Sequence, residues 1–449
     1  MKMINRVSEK KYLEKKRGSD KAELIIIYGR RRVGKTFLLS NVLQNSLFLT
    51  ADLSTPVNLM NTFLNEIKSS IGLPKNIRIS EWDDFFSFLL HYVKRQNTKP
   101  VIVIDEFQYI SLNDKSFLSI LQKWWDREFK NLNLMVVLCG SYAGMIEKIA
   151  LSQNSPLYGR RTGQYKIEPM DFYDSSLFLK DTLLTEKIKI FSATGGIPIY
   201  LKEFSDYASF EEGAIEKCLS PGEFLVEEGA FITMEEFSRD ASLYFDILRV
   251  VASGRTTPNE IATLTGINYN GLGTYLRKLI DLNLLKKERP FSIRTPRKKS
   301  LYSIGDHYLR FYFKYISPNK ELIYRESAAL LMEKINETFS EFCSYTFEEV
   351  CKDYLWRSLK PDTMGRWWDK DKEIDIVAVK DRVLHICECK WTSKKVDFRV
   401  LNKLKLKTDA LLKDLKTEFK EIHYHLFSKS GFENFNKEKN VELVSFEGR

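Results

Sequence analysis

The sequence predicts an α/β chain of more than one domain: a parallel sheet around a phosphate-binding loop, a mostly helical stretch, a winged helix-turn-helix and a second α/β unit. Three observations carry that reading. A continuous apolar run, Leu24-Ile25-Ile26-Ile27-Tyr28, leads into Gly29-Arg30-Arg31-Arg32-Val33-Gly34-Lys35-Thr36 and then into a helical segment. A second apolar run, Val101 to Ile104, ends in Asp105-Glu106. Towards the C-terminus, Asp375 and Glu388-Cys389-Lys390 fall on two neighbouring strand-like runs.

At 449 residues the chain exceeds one ordinary core, and two to four domains are expected. A hydrophobic share of 43% with 29% charged residues is that of a soluble globular protein. Lys plus Arg (70) exceeds Asp plus Glu (60), a net charge of +10 that is compatible with nucleic acid without requiring it. The cysteines, Cys139, Cys218, Cys343, Cys351, Cys387 and Cys389, form no C-x-x-C pair, so neither a zinc framework nor a disulfide scaffold is expected. No apolar run approaches the roughly 20 residues that cross a bilayer. A cytoplasmic protein without membrane attachment is expected.

The first run reads as a buried parallel strand, and Thr36 to Leu43 as a helix. The loop between them fits G-x-x-x-x-G-K-[ST], the P-loop, which offers backbone N–H groups and a helix N-terminus to phosphate. Lys35 reaches the β- and γ-phosphates of a bound nucleotide and the Thr36 hydroxyl binds Mg²⁺; Phe37 is counted with Gly29 to Thr36 in the nucleotide-binding set. Asp105, at the carboxyl end of the second strand, is placed to hold Mg²⁺, and Glu106 to polarise the attacking water as general base. A third strand, Leu134 to Leu138, ends in Cys139-Gly140-Ser141. Ser141 suits either the γ-phosphate and its water or a helix N-cap. Arg160 and Arg161, in a glycine-flanked loop, suit an arginine finger in cis or from a neighbouring subunit of a homo-oligomer; a surface salt bridge is the alternative. Strand, helix and acid alternate in the order of a parallel sheet with helices on both faces. In the helical stretch that follows, Pro198 in Gly195-Gly196-Ile197-Pro198 cannot occupy a helix interior, so a break is expected there.

These residues carry a resemblance. With Asn5-Arg6 and Leu13 near the N-terminus, Ile27 to Thr36, Asp105-Glu106-Phe107-Gln108, Gly140-Ser141 and Gly195-Gly196-Ile197-Pro198, the chain resembles the archaeal-type P-loop ATPases of the AAA-related, STAND-like group. The resemblance implies an ATP-binding core with a small helical lid. It also implies Pro198 in the lid close to the nucleotide, and adenine contacts from Asn5 and Arg6.

Residues from about 240 change character. A helix from Leu243 to Val251, a second capped by Thr257 with Pro258 at its first position and ended by Gly266, and a third from Tyr269 to Asp281 precede a basic hairpin-like stretch. That stretch runs from Lys286-Lys287 through Arg294, Arg297, Lys298 and Lys299 to Tyr302. Three helices and a basic wing make a winged helix-turn-helix, with DNA as the expected partner and Asn268, Asn270 and Tyr275 near base edges. The competing reading is a rigid spacer or protein dock, and Gly271 and Gly273 weaken the third helix.

Beyond about residue 320 a helix holds Glu341, Tyr345, Glu348 and Glu349, and strands follow at Glu373 to Val379 and Val383 to Lys390. A basic helix from Phe398 to Leu415 and a strand from Ile422 to Phe427 complete the layout. Two carboxylates on adjacent strands can hold divalent metal against a scissile phosphate, and a lysine two residues after the glutamate shares its face. Asp375, Glu388 and Lys390 resemble the PD-(D/E)xK nuclease superfamily, with Glu373-Ile374-Asp375 where proline–aspartate is usual. Glu348 or Glu349 would add a metal ligand. In the ATPase group named above, a domain of this kind often follows the winged helix.

The expected organisation is an ATPase core at 1–183, a lid at 184–238, a winged helix at 239–318 and a restriction-endonuclease-like α/β domain at 319–449. The expected function is an ATPase that binds Mg-ATP and directs a DNA-binding, metal-dependent nuclease. Two alternatives stay open: an ATP-controlled DNA-binding regulator whose last domain does not cut, and a STAND-like signalling protein in which nucleic acid is incidental.

Overall fold

The computed structural model describes residues 3–447 apart from 73, 75, 238, 239, 293–299 and 437. The chain divides into two compact units, Met1–Pro169 and Met170–Arg449.

In the first unit, apolar alternation on both faces dictates a buried sheet. Helix α1 (Val7–Arg17) precedes β1 (Glu23–Tyr28), followed by α2 (Lys35–Val42), β2 (Leu47–Thr50), α3 (Pro56–Ile71) and α4 (Trp82–Lys94). Then come β3 (Val101–Asp105), α5 (Gln108–Asn113), α6 (Phe117–Arg127), β4 (Met135–Gly140), α7 (Ala143–Ile146) and β5 (Gly163–Lys166). The five strands run parallel in the order β2-β3-β4-β1-β5. Leu24, Ile26, Ile102, Ile104, Val136 and Leu138 pack with Phe63, Phe85, Trp82 and Phe117 of the covering helices. Ile25, Ile27, Val103 and Val137, which face the other way, are equally buried, so both faces are covered. The expected helix-flanked parallel sheet is present.

The second unit opens with helices: α8 (Phe172–Ser175), α9 (Leu184–Thr194), α10 (Pro198–Glu203), α11 (Phe210–Cys218) and α12 (Phe224–Phe237). Pro198 stands at the first position of α10, where its missing N–H costs nothing, and Gly195 at φ 60° ends α9. Gly196 lies against the backbone of Met170, where an added Cβ would come within 1.7 Å of the Met170 carbonyl. Next come α13 (Ala241–Ala252), α14 (Pro258–Thr265), α15 (Tyr269–Asp281) and the antiparallel pair β6 (Leu285–Glu288) and β7 (Leu301–Ile304). The expected cap on α14 is a full capping box between Thr257 and Glu260, and Gly266 at φ 69° closes the helix.

After α16 (His307–Phe311) and α17 (Lys320–Tyr324), one helix of 32 residues, α18 (Ala328–Leu359), leads into the last sheet. This sheet holds β8 (Thr363–Asp369), β9 (Lys372–Lys380) and β10 (Val383–Lys390), then α19 (Phe398–Leu415), β11 (Glu421–Ser428) and β12 (Val441–Ser445). Its order is β12-β11-β10-β9-β8; β8, β9 and β10 are antiparallel, and β10, β11 and β12 parallel. Leu401, Leu404 and Leu411 of α19 pack on Val377, Leu384 and Ile386, while Phe347 and Tyr354 of α18 stack against Trp391 and Phe427.

Candidate functional site

The loop after β1 owes its shape to residues that tolerate positive φ: Gly29 (154°), Arg32 (68°) and Gly34 (88°). Gly29 passes so close to Ile167 that an added Cβ would lie 2.2 Å from its carbonyl oxygen. Lys35 Nζ donates to the carbonyls of Gly29 (3.0 Å) and Arg30 (2.9 Å), and burial pulls its ammonium below the usual range. Thr36 Oγ1 donates to Asp105 Oδ2 at 2.6 Å, which brings together the two residues expected to share a metal. An all-oxygen pair of hydroxyl and buried carboxylate is the donor set that suits Mg²⁺.

Glu106 sits at φ 53°, outside β3, and its amide donates to Asp105 Oδ1 at 3.0 Å. Ser141 Oγ donates to Glu106 Oε1 at 2.6 Å, and Gln108 Nε2 donates to Glu106 Oε2. Ser141 therefore faces Glu106, the residue expected to act as base. Gln108 was not singled out as a chemical residue by the sequence; its position three after Asp105 at the start of α5 was the available signal. Gly140 makes room for it, since a Cβ there would meet Gln108 Oε1 at 2.2 Å and Ile146 Cδ1 at 2.5 Å.

Other expected nucleotide residues hold the loop from behind. Arg6 donates to Glu9 Oε1 (2.8 Å) and to the carbonyls of Glu168 (2.8 Å) and Val33 (3.0 Å), so its guanidinium is committed to bracing the P-loop. Asn5, like Arg6, has positive φ. Arg31 donates to the Tyr109 hydroxyl at 2.6 Å and lies 5.5 Å from the centre of the Tyr142 ring. Arg160 grips Asp126 (2.8–3.0 Å), and Arg161 donates to the carbonyls of Ala150 (3.1 Å) and Leu151 (2.9 Å). In this conformation both are engaged in structural bonds, the arrangement of the salt-bridge alternative.

In the second unit the acidic residues form a second constellation. Asp375 on β9 accepts the Cys389 amide at 2.7 Å; burial, then the charge of Glu388, pushes its carboxyl up to about 6. Glu348 of α18 is raised to about 8 by burial and by Asp375. Glu388 accepts Lys390 Nζ at 2.6 Å and also Lys407 Nζ of α19 at 2.9 and 3.1 Å. Glu348 and Glu349 differ in their surroundings. Glu349 turns away to Lys286 Nζ (2.6 Å) and His307 Nε2 (2.7 Å), whose charges more than offset the cost of burial and hold it well below the carboxylate range. Among the described residues, no three His, Cys, Asp or Glu side chains stand close enough to form a ready metal cage. The expected set of Glu348, Asp375 and Glu388 is thus electrostatically linked without being a preformed cage, because Lys390 and Lys407 draw Glu388 aside.

The segment expected to form a winged helix is partly committed to its neighbours. Tyr345 of α18 donates to Glu288 and Ser303 (both 3.2 Å), and Phe291 donates its amide to Arg366 O at 2.7 Å and packs on Trp367. Tyr275 leans on Tyr244, with ring centres 5.3 Å apart, and the Lys278 ammonium lies over the Phe237 and Tyr244 rings. Asn268 is spent as the cap of α15, accepting the Asn270 amide at 3.0 Å. The cap uses Asn268 Oδ1 and the ring contact uses the face of Tyr275. Arg294, Arg297, Lys298 and Lys299 lie outside the described residues. No helix among the described residues is long and apolar enough to cross a membrane.

Known proteins share these features. Residues 3–204 match an ATPase domain predominantly from Archaea, and residues 312–401 match a family described as archaea bacterial proteins of unknown function. The uncharacterised protein MJECL04 of Methanocaldococcus jannaschii is 30% identical over 408 residues, covering 87% of this chain and 88% of that protein. The uncharacterised ATP-binding protein MJ0423 of the same organism is 55% identical over 42 residues, 9% of this chain and 71% of that protein. The Walker-type ATPase PABY2304 of Pyrococcus abyssi shares the fold, with a TM-score of 0.54 and 21% identity over 70% of this chain and 96% of that one.

Proposed function

The chain belongs to the family of MJECL04 and carries a P-loop ATPase domain of archaeal type, and from that premise we propose that ATP hydrolysis directs a metal-dependent phosphodiesterase acting on DNA. The ATPase occupies the proposed core and lid, 1–183 and 184–238; the winged helix at 239–318 and the last domain at 319–449 handle DNA. One observation carries the nuclease part: Asp375 and the Glu388–Lys390 pair lie on the neighbouring strands β9 and β10, and Glu348 of α18, 27 residues before Asp375, is near enough for Asp375 to raise its carboxyl.

In the ATPase, Lys35 moves from the Gly29 and Arg30 carbonyls onto the β- and γ-phosphates. Mg²⁺, held through Thr36 and Asp105, would neutralise the phosphate oxygens. Glu106 takes the proton of the attacking water. Ser141 and Gln108 each donate to one of its oxygens and so fix the orientation of the carboxylate, while the remaining lone pairs are left for the water. In the last domain, oxygen ligands alone suit Mg²⁺ or Mn²⁺, which would polarise the scissile phosphate. Asp375 and Glu348, whose protons burial holds, would give them up to a bound divalent cation and become its ligands, and Lys390 orients the water and offsets charge on phosphorus.

The deciding experiment is cleavage of plasmid and linear DNA with Mg²⁺ or Mn²⁺, with and without ATP. Cleavage is expected from the wild type, abolished in Asp375→Asn and altered in its ATP response in Lys35→Ala. The regulator reading has its own support, since two lysines already neutralise Glu388. ATP turnover with no cleavage under any condition, and DNA binding untouched by Asp375→Asn, would select it.

A further inference from the structure

We propose that the outward face of α19 is the lane along which the phosphates of a DNA strand reach the Asp375–Glu388–Lys390 site, with Lys395, Arg399 and Lys403 as its contacts and Lys407 at its inner end. The proposal rests on the phosphodiesterase reading and adds the surface that delivers its substrate.

Arg399, Lys403 and Lys407 are spaced four apart, so they share one face of the helix. Each step advances about 6 Å along the axis, and the three span about 12 Å. Their outward direction is set by packing, because Leu401, Leu404, Thr408 and Leu411 are buried on the opposite side. The stripe has a definite end. Lys407 Nζ touches Glu388, so the row of charges runs straight into the acidic site.

At its other end lies a groove of about 290 Å³, lined by Lys390, Lys395, Asp397, Arg399, Val400 and Lys403 among others. Asp397 is the one carboxylate in that lining, against four cations. It holds Arg399 through a side-chain pair that leaves the arginine 77% exposed. Lys395 and Lys403 form no hydrogen bond or ion pair among the described residues, and both are exposed. Elsewhere on the helix an acid is supplied, since Lys405 pairs with Glu438 at 2.8 Å. The lane is where positive charge has been left for an outside partner.

A row of lysines can be merely solvated. Here the row borders a groove, is continuous with a lysine in the proposed site and shares that groove with Lys390, which favours a polyphosphate chain over solvent. The winged helix competes poorly for the same role in its described part. Lys286 is bound by Glu349, and Lys278 and Lys287 lie over aromatic rings.

The test is binding of the full chain to a short fluorescein-labelled DNA duplex, and to its single strand, in EDTA so that no cutting occurs, over a salt series. The variants are Lys403→Ala and the triple Lys395→Ala/Arg399→Ala/Lys403→Ala; all three side chains are exposed, and thermal melts confirm the fold. Each lost phosphate contact should reduce the slope of log affinity against log salt by about 0.9 on duplex, so the triple variant loses about 2.7. Affinity should drop more than about tenfold at low salt. Arg277→Ala on α15 should have a smaller effect. If the triple variant keeps the wild-type slope while Asp375-dependent cleavage persists, the lane is wrong and the nuclease reading stands. If the wild type neither binds nor cuts DNA, both fall, and an acidic protein surface becomes the partner to seek.

Discussion

Glu348 and Glu349 stand side by side in the chain, and the turn of the helix gives them opposite chemistry. Glu348 holds its proton up to about 8, whereas Lys286 and His307 hold Glu349 well below the usual carboxylate range. A carboxyl raised in the native state adds stability below its unfolded value, near 4.5, and that contribution is lost as pH climbs through about 8. Glu348→Gln should therefore melt like the wild type near pH 4.5. Near pH 8 it should be more stable by about 1–3 kcal/mol in metal-free buffer. Melting curves at both values, with and without Mg²⁺, check this; Mg²⁺ should stabilise the wild type in the upper window and lose that effect in the variant. Arg160 makes a different test. Its partner Asp126 is partly exposed, so Arg160→Ala should cost about 0.5–1 kcal/mol and leave ATP turnover within about threefold. A fall approaching 10³-fold would show that Arg160 leaves Asp126 to act as a finger.

At the scale of elements, the end of β4 and the start of α5 frame Glu106 together. Gly140→Ala would push its Cβ into Gln108 and Ile146, so a stability loss of about 1–3 kcal/mol is expected. Turnover should fall more than about tenfold because Glu106 loses its support, with KM for ATP little changed. Steady-state kinetics separate the two. The strands, the P-loop and most helix ends were legible in sequence because their determinants are local: apolar runs, Pro258 after Thr257, glycines at closing positions. Contacts between distant elements were not. Nothing in a basic helix says that Lys407, rather than Lys403 or Lys405, will touch Glu388, and nothing near Phe291 foretells that it packs against Trp367. The partner of Arg160 was hidden for the same reason, since Asp126 lies 34 positions before it. Glu348 and Glu349 could be told apart only once α18 had a phase.

Across the whole molecule the +10 charge acquires an address on α19, while the ATPase belongs to the first unit and the acidic site to the second. α18, about 48 Å long, carries Glu348 in its second half. Near its C-terminal end Arg357 binds both Asp171 and Asp174, and Asp353 accepts the Phe172 amide at 3.4 Å. Those partners are the first residues beyond the boundary at Pro169. Asp171 and Asp174 belong to the same unit as α18, so these pairs brace the far end of the helix within that unit. Replacing Arg357 by alanine should loosen that brace, costing about 0.5–1 kcal/mol in a melting curve while ATP turnover stays within about twofold, the behaviour of a tie-beam and not of a moving part.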